Sequence, residues 1–354
     1  MDMQTERRLN KLKDQHADEL FSKANVVGLY VGEKVSCGVK TNEPCVVVLV
    51  SKKLAKTKIS TRDLLPTGIG SKQQGSAQID VIDAGGRIVA QGVKASAKVE
   101  KQKKFDPTAR HRPAPPGSSV GHKNITTGTF GCVVRLGGRR MILSNNHVLA
   151  DSNLGKMGDD IFQPGPADGG ASDAVIALLE EFVPIAFLGG NGDDPTCGVG
   201  QTYVGVGNLV ARALRRRTRL LSYKPQDVNN EVDCAIARPI RDADIVEQIV
   251  EIGTPLPPVA AETGMVVRKY GRTTQLTTGE IQGVNGITIV DYGAGKRARF
   301  VGQIFTTGMS EGGDSGSAVL TADNHLVGLL FAGSATVTVL NPMLRVFELL
   351  GVVL

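Results

Sequence analysis

Residues 312–317 read Gly-Gly-Asp-Ser-Gly-Ser. Glycines on both sides of Ser315 permit positive φ and let backbone N–H groups converge on one point. A turn that exposes a serine Oγ and aims amides beside it suits a nucleophile in acyl transfer. A tight turn with a capping Asp has the same composition, because Gly, Asp and Ser dominate turns. A base separates the two readings. Acyl transfer of this kind needs a histidine to take the hydroxyl proton and a carboxylate to hold the imidazole. Of the five histidines, His16 falls in a charged N-terminal segment, His111 and His122 lie in or beside a Pro/Gly-rich stretch, and His325 sits in a turn. His147 follows the apolar run 141–143 as the chain breaks into Ser-Asn-Asn-His, and a strand end is a rigid place to present a base. For the carboxylate, Asp233 heads a short apolar strand, where it can be buried against an imidazole. Asp151 is too close in sequence to His147 to orient its ring from behind. Asp173, Asp193, Asp194 and Asp227 stand in polar or Gly-rich segments typical of solvated loops.

The elements that must position these residues follow from composition and pattern. With 354 residues the chain has room for two or three domains, and 41% apolar content with 43 glycines and few aromatics fits a turn-rich, mostly β protein. A net charge of +6 is modest and locally clustered, so nucleic acid is not an expected partner. The first twenty residues are too charged for a secretory signal, and no 18-residue apolar run occurs. A cytoplasmic location without membrane contact is expected. Cys37, Cys45, Cys132, Cys197 and Cys234 are odd in number and lack paired C-x-x-C spacing, which makes all five thiols and none a nucleophile. No cofactor or metal is expected.

Three segments follow in order. Residues 1–100 are read as an amphipathic helix (1–21) and a small α/β domain. Its strands are 26–32 and 44–51, the latter buried on both faces, with a helix start at 60–63 and a hairpin pairing 78–81 with 87–90. Residues 101–121, basic and Pro-rich, are read as a solvated linker. Its Lys101, Lys103, Lys104, Arg110 and Arg112 are free for an acidic partner. Residues 122–354 carry the candidate chemistry. They begin with a strand over 130–136, a Gly137-Gly138 turn and the strand leading to His147. A long insertion, 151–230, includes an arginine-rich amphipathic helix over 208–221, and a tail over 342–354 has helical spacing.

His147, Asp233 and Ser315 in that order, inside Ser-Asn-Asn-His-Val and Gly-Asp-Ser-Gly-Ser, resemble a chymotrypsin-fold, trypsin-like serine peptidase. Residues 159–170 (DDIFQPGPADGG), 269–279 (KYGRTTQLTTG) and 327–334 (VGLLFAGS), with Asn341-Pro342, are similar to the Nal1-like branch of that superfamily, and 26–54 resembles the small domain preceding the peptidase there. The resemblance implies a mainly β fold: two six-stranded antiparallel barrels, about 122–239 and 260–340, with a C-terminal helix at 342–354. It also implies an oxyanion hole from the amides of Gly313 and Ser315. A substrate pocket would have Met309 at its base and Phe331, Ala332 and Gly333 on its wall, selecting an uncharged apolar side chain unless Glu311 turns inward. In secreted relatives Asp314 receives a freed N-terminus. Here a whole domain precedes the barrels, so Asp314 needs another partner. Phe331 stands where many relatives carry a serine bonded to the buried Asp. The activity implied is intracellular endopeptidase action on proteins or peptides. The alternative is a silent or partner-gated scaffold that binds a regulatory partner, or a second copy of itself, through the N-terminal domain.

Overall fold

The computed structural model describes residues 1–36, 39–71, 75–91, 105–188 and 229–354. Cys37, Cys197, Asp193, Asp194, Asp227, Lys101, Lys103, Lys104 and the arginine-rich run 208–221 lie outside the described residues. The first barrel is built from β6 (Ser119–His122), β7 (Gly128–Thr129), β8 (Cys132–Leu136), β9 (Arg139–Ser144), β10 (Asp160–Phe162), β11 (Val175–Phe182) and β12 (Ala235–Pro239), numbered in chain order after five N-terminal strands. Their order is β7-β6-β10-β11-β12-β9-β8. Because β7 and β8 are two parts of one stretch, bonded to β6 on one side and β9 on the other, the sheet closes on itself as six antiparallel strands. The turn joining β8 to β9 is Gly137-Gly138, both at positive φ, as a tight hairpin of this kind requires.

The second barrel runs β13 (Val266–Gly271), β16 (Ala318–Thr321), β17 (Leu326–Gly333), β18 (Val337–Pro342), β15 (Arg297–Thr307) and β14 (Gln275–Asp291), and pairing of β14 with β13 closes it. Both barrels contribute to one apolar cluster. Cys132, Leu143, Cys234 and Ile236 from the first meet Tyr270, Leu320 and Leu329 from the second, under Met343, Val346 and Phe347 of the C-terminal helix (Met343–Leu350).

The N-terminal region has β1 (Val26–Ser36), β2 (Val39–Val50), β3 (Gly68–Ser71), β4 (Gly75–Asp83) and β5 (Val89–Ala90). Helix α1 (Met3–Phe21) buries Leu9, Leu12, Ala17 and Leu20 against this sheet. Val46 to Leu49 are buried on both faces, since β2 lies between α1 and the barrel side. The small α/β unit is therefore present, and its sheet is continuous with the second barrel through antiparallel pairing of β1 with β14. Tyr30 stacks on Phe305 across that seam at 5.2 Å.

Three expectations are corrected. Residues 78–81 and 87–90 do not form a hairpin: β4 already pairs with β2 and β3 on its two edges, so β5 has no place there and pairs with β14 and β17 instead. No helix grows from 60–63, which makes a single 3-10 turn at Thr61–Asp63, because Pro66 biases Leu65 away from helical backbone. Nor is the described part of the linker solvated. Arg110 pairs with Asp173 at 2.9 Å, Arg112 donates to the Gln163 side chain at 2.6 Å, and residues 116–121 are buried.

A sheet shared by the N-terminal unit and the second barrel should unfold as one. Truncating Leu49, fully buried against Phe305 and Val339, is expected to cost about 2–5 kcal/mol. Leu49→Ala should shift a single denaturant transition seen equally by probes in both regions. Two separated transitions would show that the seam does not couple them.

Candidate active site

His147 lies in the one-turn helix α2 (Asn146–Leu149) just after β9, rather than in the strand itself. Asp233 immediately precedes β12, the strand beside β9, so neighbouring chains bring the two together. His147 Nδ1–H donates to Asp233 Oδ2 at 2.6 Å, and the His147 amide donates to Oδ1 at 3.2 Å. Asp233 is fully buried, and a buried carboxylate holding Nδ1–H leaves the lone pair on Nε2. That Nε2 is buried without a hydrogen-bond partner.

Asp233 has a partner that sequence reasoning missed. Tyr292 donates its hydroxyl to Asp233 Oδ2 at 2.8 Å, and its ring stands edge-on to His147 at 5.8 Å. Burial, then the Asp233 charge, pushes the Tyr292 pKa well above the ordinary phenol value, so the hydroxyl stays a donor. Asn145 and Asn341 both donate to the Asp233 carbonyl, at 2.7 and 3.1 Å. A tyrosine at the end of β14, remote from all three candidates in sequence, carries no local signal.

Ser315 sits in the second barrel between β15 and β16. Gly313 and Gly316 flank it at φ +100° and +92°, backbone that only glycine adopts freely. Thr129 of the first barrel clamps this loop: its amide donates to the Ser315 carbonyl at 2.7 Å, and its hydroxyl donates to the Gly313 carbonyl at 2.9 Å. The Ser315 hydroxyl donates to the Phe331 carbonyl at 3.2 Å, not to His147. The Gly313 amide points into the site and donates to the carbonyl of Gln91, from the N-terminal unit, at 2.7 Å.

Asp314 finds its partner in Lys269. Both side chains are fully buried, with Nζ 3.5 Å from Oδ2. The carboxylate also accepts from the amides of Thr273, Thr274 and Glu311 at 2.8, 3.1 and 3.0 Å and from the Thr274 hydroxyl at 2.6 Å. Burial lowers the Lys269 pKa and the Asp314 charge opposes it. Beside this pair, Arg272 donates to Asp168, joining the 269–279 and 159–170 motifs at the barrel seam.

The pocket candidates are dispersed. Phe331 and Ala332 are buried in one cluster, Phe331 against Phe300 at 4.8 Å, while Met309 packs in the second-barrel core with Ile281, Ile304 and Val327. Gly333 faces the Gln91 side chain, whose Nε2 a Cβ there would strike. Glu311 is exposed. The Cys45 and Cys132 thiols are pushed up to about 12 by burial and Cys234 well above its usual value, which keeps all three protonated.

No family model matches the chain, and no curated protein does. Solved structures do resemble it. One is a glutamic-acid-specific serine protease with a histidine triad in substrate binding: 18% identity, 68% of this chain and 100% of that chain, TM-score 0.42. Protease A of Thermobifida fusca gives 18%, 68% and 98%, with a TM-score of 0.41. The chymotrypsin of Cellulomonas bogoriensis gives 16%, 68% and 96%, with a TM-score of 0.40. Each of these is a protease, and the barrels of the present chain rest on its own strand pairing.

Two outcomes follow from the geometry. Lys269→Met leaves the Asp314 carboxylate buried without a cation and should cost about 3–5 kcal/mol in denaturant unfolding. Adding Asp314→Asn should recover much of that loss, and equal stability of Lys269→Met and wild type would remove the pair from the account. Tyr292→Phe keeps the ring and deletes a hydrogen bond to a carboxylate, about 1.5–3 kcal/mol. Any hydrolytic rate should then fall roughly tenfold or more, with the melting transition lowered by only a few degrees, checked by peptide kinetics beside calorimetry.

Proposed function

We propose that this chain is a serine endopeptidase of the Nal1-like branch, with Ser315 as nucleophile, His147 as general base and Asp233 as the group that orients the imidazole. The observation that carries this reading is the buried Asp233–His147 hydrogen bond, which leaves a desolvated Nε2 with no partner. For attack, the Ser315 hydroxyl must leave the Phe331 carbonyl for that nitrogen. Ser315 Oγ then attacks a scissile carbonyl as His147 takes its proton and returns it to the leaving amine. The amides of Gly313 and Ser315 stabilise the oxyanion, each worth on the order of 3 kcal/mol of barrier. Water hydrolyses the acyl-enzyme by the same route. In the branch resemblance, 269–279 wraps Asp314, 159–170 meets that motif through Asp168 and Arg272, and 327–334 supplies most of β17. Met309 packs apart from Phe331 and Ala332, and none of these or Gly333 is acidic, which favours an uncharged side chain. An odd cysteine count without paired spacing supports a reducing, cytoplasmic setting.

The second reading, a silent or partner-gated scaffold, draws support from one observation. The Ser315 hydroxyl and the Gly313 amide are both engaged by backbone groups rather than free for substrate. A partner or second copy would then add to β3, which ends the sheet order.

A fluorophosphonate probe separates the two. Covalent labelling of Ser315, lost in Ser315→Ala and His147→Ala, is expected, with peptide hydrolysis in each falling by about four to six orders of magnitude and the double variant little worse. Absence of any label on folded protein would favour the scaffold. Full rate in Asp233→Asn would take the carboxylate role away from Asp233.

A further inference from the structure

Residues 88–91 are joined to the site more closely than an adjacent domain requires. Ile88 is fully buried beside Phe331 and Val290, and its carbonyl accepts from the Asp291 amide at 3.0 Å. Upstream, Ser334 and Thr336 donate to the carbonyls of Ala84 and Asp83 at 2.6 and 3.2 Å. From this anchor β5 runs antiparallel to the end of β17, with Val89 opposite Gly333 and Ala90 opposite Ala332. Gln91 then crosses the nucleophile loop. Its amide donates to the Phe331 carbonyl at 3.3 Å, the same oxygen that accepts the Ser315 hydroxyl at 3.2 Å. Its own carbonyl oxygen accepts from the Gly313 amide at 2.7 Å.

An extended segment added to a strand edge, with its last carbonyl held by an amide of the nucleophile loop and its N–H sharing an acceptor with the nucleophile, is bound as a peptide substrate would be. The side chain agrees. Gln91 is only 4% exposed, lies over Gly333 where any Cβ would strike it, and buries an Oε1 that has no donor. Its uncharged amide suits a site without an acidic residue.

We propose that the peptide bond on the carboxyl side of Gln91 is a substrate of this chain's own site, so that the protein cuts itself there in an intramolecular reaction. The step rests on the peptidase reading given above. Ser315 Oγ bonds to the Gln91 carbonyl carbon and its proton passes to His147 Nε2. The C–N bond breaks, and the amine of Gly92 leaves with that proton. A water then adds hydroxide to the acyl carbon and returns a proton through His147 to Ser315, freeing Gln91 as a carboxylic acid. The N-terminal product stays attached, because β1 remains paired with β14.

The test is intact mass under denaturing conditions, with native gel filtration alongside, on full-length wild type and Ser315→Ala. Wild type is expected to convert to fragments 1–91 and 92–354 that co-elute natively, at a first-order rate unchanged over a hundredfold range of protein concentration. Ser315→Ala should stay whole. Gln91→Pro, which lacks the N–H donated to Phe331, should slow the cut at least a hundredfold. A wild-type chain that takes the fluorophosphonate label on Ser315 yet stays intact at Gln91 overturns the inference and leaves the peptidase reading standing. Neither label nor cut sinks both. A rate that rises with concentration, or an equal cut in Ser315→Ala, also overturns it.

Discussion

A carboxylate taken out of water must be neutralised and hydrogen-bonded or it destabilises whatever encloses it. Asp314 is that carboxylate here, and the loop around Ser315 is shaped by meeting its needs. Lys269 supplies the charge and the 272–274 hairpin supplies two amides and a hydroxyl. The Glu311 amide closes the loop on itself. With the loop so held, the Gly313 amide points inward. The cation is built into β13, so loop geometry is present in the unbroken chain and needs no freed N-terminus.

The same economy of position governs the barrel seam. Thr129 belongs to the first barrel yet fixes both the Ser315 and Gly313 carbonyls, while Asn341 of the second barrel holds the backbone of Asp233 in the first. Each barrel thus braces the other's candidate site residue. The N-terminal unit extends this arrangement, since its β1 continues the second-barrel sheet and its β5 reaches the wall strand of the site.

His147, Asp233 and Ser315 stood out in the sequence as candidates, because each sits where apolar strand pattern gives way to polar or Gly-rich residues, and the fold brings the first two into contact. The Gly137-Gly138 turn, helix α1 and the doubly buried run in β2 were legible for a similar reason: local periodicity and turn chemistry are written in neighbouring residues. The helix start at 60–63 failed on a proline six residues beyond its first residue, and the hairpin at 78–90 failed because strand pairing is decided by which edges are already taken.

What the sequence by itself determined was therefore the mainly β fold class and the local turns and strands that carry the candidate residues. Only the tertiary structure decided who supports them. Tyr292 reaches Asp233 across 59 positions, Lys269 meets Asp314 from a neighbouring strand 45 positions away, and Gln91 meets Gly313 through a strand added to a distant edge. Such contacts are set by sheet closure and burial, which bring together residues whose own neighbours carry no sign of the meeting.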